Sequence, residues 1–513
     1  MKKAYLCLAS LFATLTGLWA QTPAADEAGW DEAFNEAVSP ISSAVAGFTF
    51  YPVNPWSASA SQLPFVVALL LVAALVFTFY FGFVQFRSFG LAKRTIQGKY
   101  GSDDDPGEVT HFQALTAALS GTVGLGNIGS VAVAIGIGGP GATFWMICAG
   151  LIGMASKFAE CTLGVHYRDI GPDGTVYGGP MYYLRKGLTE RGMAGVGKVL
   201  SVAFAIFCIG GSFGGGNMFQ SNQAAEIFLG QIGATSGSAG FIFGLALAAV
   251  VGLVILGGIK RIGAVTERVV PFMVVGYLLA ALIVIAVNVN NIGPAFGQII
   301  SGAFSPEGLA GGFVGVLVQG FRRAAFSNEA GIGSAAIAHS AVKTRYPASE
   351  GIVALLEPFV DTVVVCTITA LVIIIANGDG GILTYGAEDI AGVSVTSSAF
   401  ATVIPWFPYL LTVAVVLFAF STQLSWSYYG LQAWLYLFGR SKAADLSYKL
   451  LFLVFVVLGA SVSLQSVIDF SDSMIFLMAV PNLIGLFILL PVIKRLYNDY
   501  RERAARIDAG EPA

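Results

Sequence analysis

Eleven apolar runs, each long enough to cross a bilayer as a helix, recur along this chain and leave it few folds to choose from. They lie near 63–84, 111–137, 142–165, 198–228, 239–257, 269–289, 311–334, 352–376, 404–434, 448–468 and 474–490. A helix needs about 20 apolar residues to cross the hydrocarbon core, and a barrel strand only about ten. Backbone polar groups in lipid must find partners inside the protein, so runs of this length imply helices. Only 11% of the 513 residues are charged and 56% are hydrophobic. A soluble domain carries about 25% charged residues. The 63 glycines suit close helix contact in lipid. The expected class is an all-α polytopic membrane protein.

The basic residues orient the spans. Of 27 Lys and Arg, Lys2 and Lys3 lie at the N-terminus, and Lys157, Arg322 and Arg323 fall inside apolar runs. The other 22 cluster at 87–99, 168–198, 260–268, 343–345, 440–449 and 494–506. The intervening loops at 138–141, 229–238, 290–310, 377–403 and 469–473 carry none. Excess Lys and Arg mark cytoplasmic loops, so this pattern predicts an N-terminus outside and a C-terminus in the cytoplasm of a bacterial inner membrane.

Residues 1–20 read as a secretory signal: Lys2 and Lys3, then an apolar stretch from Ala4 to Trp19, then Ala20 before the cut. An uncleaved first helix is the alternative. A cleaved signal agrees with an outside start. The 21–62 segment is acidic, has no Lys or Arg, and reads from Trp30 to Val45 as a short helix on the outer surface. Cys148, Cys161, Cys208 and Cys366 lie in apolar runs without metal-type spacing and read as small buried hydrophobes. His111, His166 and His339 sit near cytoplasmic ends and read as surface residues.

Beyond an extra helix and linker at 63–110, ten spans remain. Five at 111–290 start inside, and five at 291–493 start outside, followed by a cytoplasmic tail at 494–513. That is the arithmetic of an inverted repeat of five plus five. The first span of each half carries Gly-x-Gly among polar residues: Ser120-Gly-Thr-Val-Gly-Leu-Gly-Asn127 and Phe326-Ser-Asn-Glu-Ala-Gly-Ile-Gly333. Gly disfavours a helix by about 1 kcal/mol per residue, so both spans are predicted to break. Half-helix N-termini favour a carboxylate and free carbonyls favour a cation. A zwitterion with a driving cation meets both. Close helix packing through glycine, without a break, is the competing reading.

Other polar residues lie at membrane depth. Phe213, Asn217 and Gln220 can offer a lid and hydrogen bonds, or merely join helices. Ser421, Thr422, Ser425 and Trp426 can bind a cation and wall a small side chain, or the hydroxyls can bond back to their own helix. Glu329 is an intramembrane acid, for which function is the default reading; it is assigned to coupling or gating, with an ion pair to Arg322 or Arg323 as the alternative. Lys157 and Glu160 are three apart and are expected to pair. Asp361 is left open between function and structure.

Several spaced motifs resemble one family. The stretch GTVGLGNIGSVAVAIGIGGPGATFW from Gly121, Tyr177-Gly-Gly-Pro-Met-Tyr-Tyr183, Arg322-Arg-Ala-Ala-Phe-Ser-Asn-Glu-Ala-Gly331 and Trp426-Ser-Tyr-Tyr-Gly430 are similar to the signatures of the alanine or glycine:cation symporters. The resemblance runs from about Asp26 to Tyr500. It implies the fold of the bacterial leucine transporter with one additional leading helix, eleven in all. It further implies that Asn127 and the backbone around Thr122–Gly124 face the solute and a first ion. The carbonyls of Ser120 and Val123, with Ser421 and Thr422, would form a sodium site. Thr122, Phe326, Ser327 and Trp426 would line a small pocket.

The resulting expectation is a symporter, not an enzyme, importing alanine or glycine with sodium. Its partners would be the solute, Na⁺ and the lipid bilayer, with no cofactor and no nucleic acid, and it would act as a monomer. Proton coupling, or another small neutral amino acid such as glutamine, is the alternative. A channel would not need two broken helices, and a membrane enzyme would need the His pairs, Cys clusters or nucleotide motif that the sequence lacks.

Overall fold

The computed structural model describes residues 30–57, 62–102, 104–234, 238–305, 312–378, 381–387, 392–461 and 465–511. The signal expected at 1–20 lies outside the described residues. A surface helix, Trp30–Thr49, and a leading helix, Phe65–Tyr80, come first. The core then runs through α1a (His111–Thr122), α1b (Gly126–Gly138), α2 (Ala142–His166), α3 (Ala194–Ile232), α4 (Ala239–Ile255) and α5 (Gly258–Val287). It continues through α6a (Gly312–Asn328), α6b (Ala335–His339), α7 (Pro347–Asn377), α8 (Phe407–Phe438), α9 (Lys442–Ser461) and α10 (Gln465–Asp508).

Among the described residues, seven single helices are long and apolar enough to span a membrane: α2, α3, α5, α7, α8, α9 and α10. The bent pair α1a and α1b adds an eighth. The leading helix and α4 are apolar but shorter, and α6 is cut into 17 and 5 residues. A total of eleven requires counting these three as spans too.

Two helices outrun their apolar windows. α5 begins at Gly258 rather than near 269, and α10 continues to Asp508 rather than ending near 490. Hydropathy marks the lipid-deep part of a helix; the helix itself persists while its polar end finds partners. Gln113 Nε2 donates to Glu267 Oε2 at 3.0 Å on α5. Along the α10 extension, the Tyr497 and Tyr500 hydroxyls meet those of Ser88 (2.7 Å) and Thr95 (2.9 Å). Lys99 Nζ lies 2.6 Å from Asp508.

The packing is that of two related halves. α2 lies on α7, α3 on α8 and α4 on α9. α1a meets α6b, and α1b meets α6a, so the two broken helices run in opposite directions. A pseudo-two-fold axis in the membrane plane brings each element to its mate five places on. The chain entering α1 lies beside the chain leaving α6: Glu108 N donates to Ala341 O (2.7 Å) and Lys343 N to Val109 O (2.8 Å).

The basic clusters converge on this same end. Arg168 donates to the carbonyls of Ser340, Val342, Thr344 and Pro106 at 2.5–2.8 Å. Asp169 takes Lys186 and Arg440 at 2.5 and 2.6 Å, and Arg345 pairs with Asp105 at 3.0 Å. Loops poor in basic residues meet at the opposite end, where Trp145 Nε1 reaches Ala303 O at 3.0 Å.

Candidate functional site

α1 breaks where the glycines crowd. Val123 adopts an extended conformation (φ −73°, ψ 109°), and the axes of α1a and α1b differ by 54°. Asn127 binds the break from within: its Oδ1 accepts Gly124 N at 2.7 Å. Its backbone N–H in turn donates to Gly124 O at 3.2 Å, so one residue closes the turn from both sides.

α6 breaks more sharply. Glu329 (φ +52°), Gly331 (φ +89°) and Gly333 (φ +96°) turn left-handed in close succession. Only glycine takes that region without strain, so a non-glycine residue there marks a built feature. Asn328 Oδ1 accepts Ala330 N at 3.0 Å, and Asn482 Nδ2 donates to Gly331 O at 2.8 Å. Both breaks exclude the reading of continuous, glycine-packed helices.

A cavity lies between the breaks. Gly121, Thr122, Gly124, Leu125 and Gly126 of α1 form one wall. Gly215, Phe219 and Gln220 of α3, Phe326 and Glu329 of α6, Thr422 and Trp426 of α8, and Asp472 and Ile475 of α10 complete it. Seven of the sequence-derived residues therefore meet in one place: Thr122, Gly124, Gln220, Phe326, Glu329, Thr422 and Trp426. Gln220 gives Nε2 to Gly215 O at 3.0 Å, while its buried Oε1 has no hydrogen-bond partner. The Trp426 ring is pressed against α3, where a Cβ added at Gly216 would stand 2.3 Å from it.

Phe213 does not reach the cavity. Its ring stacks on Tyr448 (5.4 Å) and Phe455 (4.7 Å), and Phe219, unmarked in the sequence reading, lines the cavity instead. Asn217 joins helices, donating to Phe452 O at 2.7 Å. Glu329 faces the cavity and accepts Ser334 Oγ at 2.5 Å. It forms no salt bridge with either arginine among the described residues; Arg322 lies over the Phe50 ring at 5.4 Å.

Behind the cavity sits a residue that sequence left undecided. Asp361 of α7 is fully buried. Asn127 Nδ2 donates to its Oδ1 at 2.7 Å, while Ser327 Oγ and Thr362 Oγ1 donate to its Oδ2 at 2.9 and 2.7 Å. One carboxylate thus ties α1b, α6a and α7 together. Its partners are all neutral, and among the described residues no cationic side chain pairs with it. The separation of 234 residues from Asn127 hid this meeting from any local pattern.

The expected sodium donors lie between α1a and α8. Thr422 Oγ1 donates to Ser120 O at 3.0 Å, and Ser120 Oγ to Ser421 O at 3.2 Å. Ser421 Oγ donates back to Phe418 O of its own helix at 3.0 Å, which leaves its oxygen lone pairs for a cation. Val123 is buried at the end of α1a. Oxygen donors of this kind suit a hard cation.

Nearby, the surface reading of two histidines fails, while the expected Lys157–Glu160 pair forms but is the longer of two contacts. His339 is fully buried and His111 nearly so, because both meet the Glu350 carboxylate. Lys157 lies 3.9 Å from Glu160 but 2.9 Å from Glu357, its closer partner. Neither helix contact follows from sequence spacing.

The sodium:alanine symporter family matches residues 52–511. The sodium/alanine symporter AgcS of Methanococcus maripaludis is 41% identical over 448 residues, covering 86% of this chain and 96% of that protein. The probable sodium/glutamine symporter GlnT of Bacillus subtilis is 33% identical, with 86% and 89% covered. Among solved structures, MhsT in complex with L-phenylalanine is similar in fold, with a TM-score of 0.53 at 17% identity and 75% and 89% covered. The paired breaks and five-plus-five packing match the fold that this last likeness shows. With the family matched over nearly all of the described residues, the chain belongs to the sodium:alanine symporter family and is a multi-pass membrane transporter of amino acids.

Proposed function

We propose that this protein imports alanine or glycine with Na⁺ by alternating access, with its basic end in the cytoplasm of a bacterial inner membrane. The observation that carries the reading is Asp361. A buried carboxylate held by neutral donors costs several kcal/mol unless a counter-charge meets it. It is hydrogen-bonded to Asn127 and Ser327, beside the two helix breaks, where a cation would meet it close to the solute. The cavity itself suits a small zwitterion. Gln220 offers a free acceptor for an ammonium group, and the opened backbone near Thr122 and Gly124 offers polar groups for a carboxylate. Trp426, Phe219, Phe326 and Ile475 leave little space for a side chain.

In this reading Asn127 and Ser327 position Asp361 for a first Na⁺. Ser120 and Val123 carbonyls with Ser421 and Thr422 hold a second. Glu329, at the α6 break, couples or gates. The names of the relatives point to alanine in one case and glutamine in another, so substrate choice is tested directly. Purified protein in proteoliposomes is given labelled alanine with and without an inward Na⁺ gradient, against unlabelled glycine, serine and glutamine. Accumulation driven by Na⁺ and suppressed by glycine is expected. Accumulation with a proton gradient alone, or suppression by glutamine and not by glycine, would replace the reading with the corresponding alternative.

A further inference from the structure

A second polar cluster lies outside the cavity, toward the basic end, and the transport chemistry above does not use it. It is a chain of buried charged groups. His111 of α1a meets Glu350 of α7. The other oxygen of Glu350 lies 2.5 Å from His339 Nδ1 on α6b. His339 Nε2 faces Glu357 of α7 at 3.7 Å, and Glu357 takes Lys157 of α2 at 2.9 Å. Lys157 faces Glu160 at 3.9 Å, and Glu160 accepts Asn482 of α10 at 3.1 Å. The side chains of His339, Lys157, Glu160, Glu350 and Glu357 have no exposed surface, and that of His111 has 11%.

Charge balance fixes the protonation of this chain. Three carboxylates face one lysine and two imidazoles. The set is neutral when both imidazoles are protonated, and negative otherwise. Both ring nitrogens of His339 face carboxylate oxygens, at 2.5 and 3.7 Å, a charge pattern that favours the doubly protonated ring. The set is also incompletely bonded. Among the described residues Glu160 Oε1, Glu357 Oε2 and His339 Nε2 are buried without hydrogen-bond partners, and contacts of 3.7 and 3.9 Å are too long to be hydrogen bonds. Fully satisfied buried networks are rigid, whereas a partly satisfied one leaves polar groups at high cost in low dielectric. Other titratable groups nearby are Cys161 on α2, Glu329 at the α6 break, Tyr429 on α8, Arg168 in the loop after α2, and Tyr500 on α10.

We propose that this chain is a proton-loaded latch on the basic-end halves of the two broken helices. With His339 protonated it holds α1a and α6b against α2 and α7. When an imidazole N–H gives its proton to water at the basic end, the imidazole keeps the electron pair. The cluster becomes net negative, its like charges loosen α1a from α7 and α2, and α1a is then free to swing away from α8. His111 and His339 are positioning residues, since neither touches the cavity. The inference rests on the transport reading in one respect: that α1a and α8 part during the cycle.

The test reads that parting without reference to any solute. Ser425 of α8 lies between α8 and α1a, donating to Ala117 O at 2.6 Å, and Ser425→Cys places a thiol there. Labelling of that thiol in the purified transporter, in Na⁺, is followed by mass spectrometry at about pH 7 and about pH 10, because an imidazole flanked by two carboxylates holds its proton past the ordinary histidine range. Rates are divided by those of the denatured protein to remove the thiol's own titration. A corrected rate several-fold higher at the alkaline pH is expected. Adding His339→Gln, which keeps a hydrogen-bonding side chain without a titrating charge, should give a high rate at both. Equal corrected rates in the parent, or an unchanged pH response in His339→Gln, would overturn the latch. His111→Gln, at the rim of the cluster, repeats the comparison should the first variant fold poorly. Loss of Na⁺-driven uptake alongside an intact pH response would fault the transport reading and leave the latch standing.

Discussion

In the proposed reading Asp361 and Thr422 carry different shares of the ion chemistry, and single substitutions separate them. Asp361→Asn keeps the shape and removes the charge. The three neutral donors that now converge on a carboxylate would meet an amide, and two of its lone-pair sites would become N–H groups. Na⁺-driven uptake is expected to vanish, and any stabilisation of the purified protein by Na⁺ to shrink; a variant with parental Na⁺ dependence would strip Asp361 of its role. Thr422→Ala is milder. It deletes one oxygen and the 3.0 Å bond to Ser120 O, a loss of about 1 kcal/mol. That corresponds to about a fivefold rise in the Na⁺ needed for half-maximal uptake. Uptake measured across a Na⁺ series decides it, and an unmoved half-saturation point would rule Thr422 out as a donor. Thr422 was legible from sequence because its hydroxyl lies in an apolar run. Asp361 was visible as an intramembrane acid, but its meaning depends on Asn127 and Ser327, which only the folded chain brings to it.

At the scale of the element, the two breaks were the most legible feature, since glycine and polar residues at membrane depth advertise a helix that cannot close its own hydrogen bonds. Their form was less so. α1 bends through one extended residue, whereas α6 turns through three left-handed ones, and Glu329 among them has a side chain that sequence gives no reason to place there. Helix lengths escaped for another reason: composition senses lipid, and α5 and α10 continue into water on tertiary contacts. The left-handed turn is testable. Gly331→Ala sets a Cβ in a conformation that costs about 1–2 kcal/mol, and that Cβ would lie 2.8 Å from Leu70 Cδ2 of the leading helix. A clear drop in melting temperature with loss of uptake is expected. Gly276→Ala is the control: it lies within α5 with nothing inside 4 Å, and alanine favours a helix by about 1 kcal/mol over glycine. Equal tolerance at both sites would mean that the α6 turn is not held as described.

Across the whole molecule, the pseudo-two-fold packing divides the chain into bodies that transport must move against each other. α1 and α6 are tied to α2 and α7 by the Asp361 cluster and the buried charge chain. α8 meets α3 through Gln423, which donates to Ser221 Oγ at 2.6 Å. Between these bodies runs the seam of α1a and α8, bridged by hydroxyls of Ser120, Thr422 and Ser425. Alternating access requires this seam to open at the basic end. A covalent bond across it should therefore arrest the cycle. A Cβ at Gly121 would stand 3.6 Å from Ser425 Cβ, within the 3.5–4.5 Å that a disulfide spans, with Tyr429 Oη at 3.3 Å yielding slightly. Gly121→Cys with Ser425→Cys is expected to lose uptake under oxidation and regain it on reduction, while either single variant ignores the oxidant. Mass spectrometry confirms the bond before transport is measured. Undiminished uptake by the cross-linked protein would show that α1a and α8 travel together, and would move the opening to another seam.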